Sequence, residues 1–196
     1  MNESFLFLAE GFEEIEALTA IDVLRRADIP VKTVSITSAL QVTGFHGITV
    51  TADVLYDNTL FNKAEWLILP GGMPGATNLY EYAPLQGLLR RQAEDPKGRI
   101  AAICAAPAVV LGQLGLLKGH KATCYPGFEK LLHGAETVSA PVVADKKFVL
   151  GNGPANALHW ALTIVKEAKG TEAAAQVANG MLLYPKSNAG LGNYFG

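Results

Sequence analysis

The chain has 196 residues, with 49% hydrophobic and 17% charged residues and a formal net charge of -2. That length supports one sizeable core, expected as a single domain over 1–196, and the composition is too apolar for a disordered chain. There is no basic block to hold nucleic acid and no apolar run of the roughly 18 residues a membrane span needs. The N-terminal MNESFLFLAEGFEE has no basic stretch ahead of its apolar run, so it does not read as a signal peptide. Two cysteines without a CxxC spacing suggest free thiols and a reducing, cytoplasmic setting.

In chain order, Ser4–Ala9 is a continuous apolar run, as expected of a strand covered on both faces. Glu13–Ala27 follows as an amphipathic helix, with Ile15, Leu18, Ile21 and Leu24 near helical spacing. Its opening acids Glu13, Glu14 and Glu16 suit the positive start of a helix, and Arg25 and Arg26 suit its end. Val31–Ile36 completes a strand–helix–strand unit, which favours a parallel sheet. Leu40–Val42 and Ile48–Ala52 flank TGFHG and read as a hairpin. Trp66–Leu69 is a buried strand ending in Pro70-Gly71-Gly72-Met73-Pro74-Gly75, and Pro84–Ala93 is a helix.

The stretch Arg99–Gly115, RIAAICAAPAVVLGQLG, organises the rest. A strand at Ile100–Ile103 runs into Cys104, and a helix opens at Pro107 only two small residues later. The chain therefore turns sharply at the cysteine and lifts it above the sheet at a helix start. Such a helix end is expected to lower the thiol pKa. Beyond it, Lys121–Tyr125 reads as a strand and Pro126–His133 as a short helix. Val142–Ala144 and Phe148–Leu150 form a hairpin, GNGPA at 151–155 a turn, and Ala157–Ala168 and Glu172–Leu183 two helices. The tail Pro185–Gly196, with Tyr194 and Phe195, reads either as loose chain or as a segment docking on a neighbour.

Alternating strands and helices give an α/β sandwich with a mostly parallel central sheet. Ligands then sit beyond the carboxyl ends of the strands. Three turns should gather there: 9–16, 70–75 and 103–107. A thiolate nucleophile needs a proton partner and donors for developing charge. A glutamate in the first turns of the first helix can face Cys104, and spacing alone does not separate Glu13, Glu14 and Glu16. Backbone N–H groups at Gly72 and Ala105 are candidates for an anion pocket. The histidines are His46, His120, His133 and His159, and none is placed by position as a base for the cysteine. Cys124 reads as a buried structural thiol, and Trp66 and Trp160 as core. GNGPAN fails the dinucleotide fingerprint, and Walker, HExxH and paired Cys/His spacings are missing, so no cofactor or metal is expected.

LAEGFEEIEALTAIDVLRRADI, LPGGMPGATNL, AAICAAPAVVL and GNGPANALHWALTIV together resemble the ThiJ/PfpI superfamily. They are closest to its Parkinson's-disease-protein/deglycase branch, in order over essentially the whole chain. The resemblance implies a flavodoxin-like three-layer sandwich, usually a homodimer, with a nucleophile-elbow cysteine at Cys104. It selects Glu16 as the hydrogen-bonding acid and implies Gly72 and Ala105 as the backbone pocket. Glyoxalase and deglycase members are described with a histidine where this chain has Tyr125. Protease-like members carry one directly after the cysteine, where this chain has Ala105, so peptidase activity is not expected. His46 stands where relatives have an arginine reaching the neighbouring subunit's site, and is a candidate to supply a cation or base there. Three functions follow as expectations: a glyoxalase/deglycase-like enzyme acting on small electrophilic carbonyls, an oxidation-sensing stress protein meeting an oxidant, or a chaperone-like stress protein without turnover.

Overall fold

The computed structural model describes residues 2–183, so the tail with Tyr194 and Phe195 lies outside the described residues. Its centre is a seven-stranded sheet in the order β10-β11-β7-β6-β1-β2-β5. The strands are β1 (Ser4–Leu8), β2 (Val31–Ser35), β5 (Val54–Leu55), β6 (Trp66–Leu69), β7 (Arg99–Ile103), β10 (Val142–Asp145) and β11 (Phe148–Gly151). Every pairing is parallel except β10 with β11 at one edge. Two small ribbons lie outside it: β3 (Gln41–Thr43) with β4 (Thr49–Thr51), and β8 (Lys121–Ala122) with β9 (Glu136–Thr137).

Alternating side chains leave the central strands on opposite faces, and both faces are covered. Leu6, Leu8, Ile68, Ala101, Ile103 and Val149 join one apolar core with α1 (Glu14–Arg26), α4 (Ala157–Lys169) and α5 (Thr171–Gly180). Phe5, Phe7, Leu67, Leu69, Ile100, Ala102 and Leu150 join the other, with α3 (Ala83–Glu94) and the turn of π-helix at Pro107–Gly112. Trp66 and Trp160 are both buried, as expected of core residues. The result is a three-layer sandwich. Among the described residues no helix is long and apolar enough to cross a membrane.

α1 shows how the sequence makes these elements. The Glu13 side chain caps it by accepting from Glu16 N–H at 2.9 Å. At the other end Lys169 Nζ donates to Ala27 O at 2.8 Å, tying the helix to α4. The buried seam is Ala17, Ala20, Ile21 and Leu24, the spacing of one helical face. Ile15 and Leu18, expected on that face, are instead 57% and 42% exposed. The helix carries two apolar stripes, and the sheet takes only one.

Several boundaries differ from expectation. A helix α2 (Gly75–Glu81) follows the glycine-rich turn, where none was expected. The strand expected at Lys121–Tyr125 is confined to Lys121–Ala122, because past Ala122 the backbone leaves the ribbon and Tyr125 N–H turns to Cys104 O at 2.8 Å. The helix expected at Pro126–His133 is a single 3-10 turn, Glu129–Leu131.

Candidate active site

The three turns expected to gather do so: 9–16 and 70–75 are bonded backbone to backbone, and 103–107 meets them through the Cys104 side chain. Glu13 N–H donates to Gly71 O at 3.0 Å, and Gly75 N–H donates to Gly11 O at 3.1 Å. Gly72 takes a φ of 88, and a Cβ there would come within 2.5 Å of Glu13 N and Gly11 O. A Cβ on Gly71 would lie 2.6 Å from Cys104 Cβ and 2.8 Å from Glu16 Oε2. The glycines are therefore required by close approach of the loops to each other and to the two side chains at the centre.

Cys104 closes β7 with a φ of 63. This left-handed conformation costs a residue with a Cβ roughly 1–2 kcal/mol. It is held from both sides: Cys104 N–H donates to Gly151 O at 2.9 Å, and its carbonyl accepts from Tyr125 N–H. Cys104 is 8% exposed and in no disulfide. Sequence reasoning missed these two anchors. Gly151 and Tyr125 lie in segments read only as a turn and a strand end, and nothing local marks a backbone atom as a partner for a distant residue.

Glu16 reaches the same point from the first turn of α1 and is wholly buried. Its Oε2 accepts from Gly71 N–H at 2.7 Å, while Oε1 has no hydrogen-bond partner among the described residues. Burial pushes this carboxyl up from 4.5 to about 8, opposed by Gly71 N–H, aided by the charge of Glu13 and opposed again by Cys104. Glu16 is therefore protonated at neutral pH. Burial pushes the Cys104 thiol up to about 12, and the Glu16 charge adds to this; Gly72 N–H and Ala105 N–H draw it back. The expected lowering by the helix end is thus outweighed by burial and by the neighbouring acid. Cys104 eases the ionisation of Glu16, while a charge on Glu16 raises Cys104, so the two ionise as a pair in which the second proton is the harder to remove.

Of the other candidates, Gly72 and Ala105 present their N–H groups to the sulfur. Tyr125 is brought alongside by its backbone, with its ring 45% exposed and packed edge-on to Phe128. No histidine is among the groups that shift Cys104. His46 sits in the loop joining β3 to β4, with Nδ1 2.9 Å from Glu14 Oε2 and its side chain 60% exposed. Glu14 also accepts from His46 N–H at 2.7 Å, so it pins that loop onto the start of α1. Ligand-type atoms of Glu13, Glu14 and His46 lie within 4.8 Å of one another. The oxygens of Glu14 are already engaged by these bonds, and the positive helix start disfavours a cation, so the group reads as a hydrogen-bonded cluster of the fold. Cys124 belongs to the core on the opposite side of the sheet from Cys104, and burial pushes its thiol up to about 11, with Glu129 adding to the rise.

A doubly covered parallel sheet with an acid and a thiol meeting beyond its carboxyl ends defines a flavodoxin-like α/β protein. The chain belongs to the DJ-1/PfpI family, whose model matches residues 4–167. It is 35% identical to protein dj-1beta of Drosophila melanogaster over 93% of this chain and 97% of that one. It is 39% identical to protein DJ-1 homolog B of Arabidopsis thaliana over 91% of this chain, which spans only 41% of the length of that relative. Among solved structures, an oxidized Toxoplasma gondii DJ-1 superposes with a TM-score of 0.88 at 35% identity, covering 93% of this chain and 98% of that one.

Proposed function

We propose that this is a stress-related protein in which the turn at Cys104 acts as a nucleophile elbow toward small electrophilic carbonyls of the glyoxalase/deglycase substrate class. The observation that carries this reading is Glu16: buried, protonated at neutral pH, bonded to Gly71 through Oε2, with Oε1 unpartnered among the described residues and the carboxyl close enough to the Cys104 side chain for each to shift the other. A buried polar atom without a partner is costly, and a carboxyl proton shared with sulfur resolves it. In the reaction the sulfur adds to the carbonyl carbon, forming a C–S bond. The thiol proton passes by way of Glu16 to the carbonyl oxygen, giving a hemithioacetal. Gly72 and Ala105 N–H groups stabilise the negative charge on the way. With no histidine among the described groups that shift the thiol, Glu16 is also the base available for any later proton shift.

The same features favour a second reading, oxidation of Cys104 to a sulfinate by peroxide. Protonated Glu16 and the two N–H groups would donate to its oxygens, and no histidine is needed. A relative solved in an oxidized form supports it.

Two copies of the chain are proposed to pair through the second stripe of α1. Ile15 and Leu18, with Phe45 at 60% and Ile48 at 53% exposure on the loop pinned by Glu14, make the apolar surface for it. His46 on that loop would then lie toward the partner.

The test is iodoacetamide alkylation of Cys104 against pH, beside methylglyoxal turnover. Alkylation should rise through about 8, as the pair sheds its first proton. Glu16→Ala, which removes the donor, should slow it roughly tenfold at pH 7, the equivalent of one pKa unit. Wild-type turnover no faster than Cys104→Ser would overturn the enzyme reading. If the thiol then forms a sulfinate under mild peroxide, the sensing reading stands alone.

A further inference from the structure

A broad concavity lies at the opposite end of the sheet from Cys104. It is a cleft of about 890 Å³ at the amino ends of β6, β7 and β11. A five-residue parallel strand separates the two ends by about 17 Å. Five cations, Lys63, Lys97, Arg99, Lys146 and Lys147, line it against two acids, Glu65 and Asp95. This concentration of positive charge stands out on a chain of net charge -2.

The charges divide by role. Lys147 Nζ donates to Ala93 O at 2.6 Å and Asp95 O at 2.7 Å, neutralising the end of α3. Arg99 donates to Glu167 O at 2.6 Å and lies 5.4 Å over the Trp66 ring. Both acids are engaged by backbone donors: Glu65 accepts from Asn2 N–H, and Asp95 from Lys97 N–H. Lys63, Lys97 and Lys146 are exposed and make no side-chain hydrogen bond or close ion pair among the described residues, though the Lys146 charge is felt by the adjacent Asp145 carboxyl, which His120 and Lys121 N–H already engage. They come from three separate loops and converge on one cleft.

Lys146 adds a backbone argument. It is the first residue of the two-residue turn between Asp145 and Phe148, and its φ is 55. Glycine holds that conformation at no steric cost, and lysine does not. The turn carries a lysine where glycine would fold more easily.

We propose that this cleft is a second ligand site, for a small polyphosphate anion such as an oligophosphate or a nucleoside triphosphate. Its volume lies within the range of small-molecule sites, roughly 300–1,000 Å³. Clustered ammonium groups suit phosphate as point charges, and the acidic remainder of the surface opposes an extended polyanion.

Calorimetric titration of the full chain with inorganic tripolyphosphate, ATP and adenosine tests it. The first two should bind saturably at low salt, more weakly at physiological salt, and adenosine should not bind. Lys146→Gly should weaken both by roughly fivefold, the worth of one charge at contact distance, while melting no lower than wild type. Replacing Lys63 and Lys97 by alanine as well should weaken them more than roughly tenfold. Lys130→Ala, outside the cleft, should change nothing. Binding that is absent, insensitive to these substitutions, or shared by adenosine overturns the proposal. Cys104 alkylation should be unchanged throughout, so this site fails or stands independently of the thiol.

Discussion

At the residue scale, Glu16 couples stability to chemistry. Its folded pKa of about 8 lies above its ordinary value of 4.5. Below 4.5 both folded and unfolded chains hold the proton. Between 4.5 and 8 the unfolded chain releases it and the folded chain keeps it, so stability falls as pH rises, and above 8 the penalty is complete. Glu16→Gln cannot ionise and keeps both a carbonyl for Gly71 N–H and a donor toward sulfur. It should therefore melt higher than wild type at pH 8, with the difference vanishing near pH 4; thermal unfolding across that range checks it. Gly71→Ala should act oppositely. Its methyl would enter the space of Cys104 and Glu16, costing about 1–3 kcal/mol and most of the thiol reactivity, readable by melting and alkylation together.

At the element scale, the cap on α1 is testable directly. Glu13→Ala removes the bond to Glu16 N–H and should cost about 1 kcal/mol in denaturant unfolding. Because Glu13 also pushes the Glu16 carboxyl upward, the same change should bring the alkylation profile to lower pH. Much of this element level was legible in the chain. β1, β6 and β7 announced themselves as short apolar runs, and the turn at Cys104 followed from the two residues separating it from Pro107. What was not legible depended on partners far away. Helical spacing identified Ile15 and Leu18 as apolar but could not say which of two stripes the sheet would take. The Lys121–Tyr125 run has strand-like residues, yet Tyr125 N–H is claimed by Cys104. The thiol was expected to be lowered by the helix start, a local effect. Burial, which only the assembled core determines, runs the other way.

At the scale of the whole molecule, the parallel sheet gives the protein two chemically distinct ends. The carboxyl ends gather glycine-rich loops around one sulfur; the amino ends gather lysines whose separation in sequence hid any basic block. The surface between carries the second stripe of α1. If that stripe pairs two copies, Leu18→Asp should yield a monomer by sedimentation, with its isolated fold retained because Leu18 is 42% exposed while Ala17, Ala20, Ile21 and Leu24 form the buried seam.

Cys104 owes its backbone shape to atoms that come after it in the chain. Its two anchors, Tyr125 and Gly151, are both made later on the ribosome. The geometry of the centre is therefore complete only once Gly151 is in place, and with it comes the burial that holds the thiol proton.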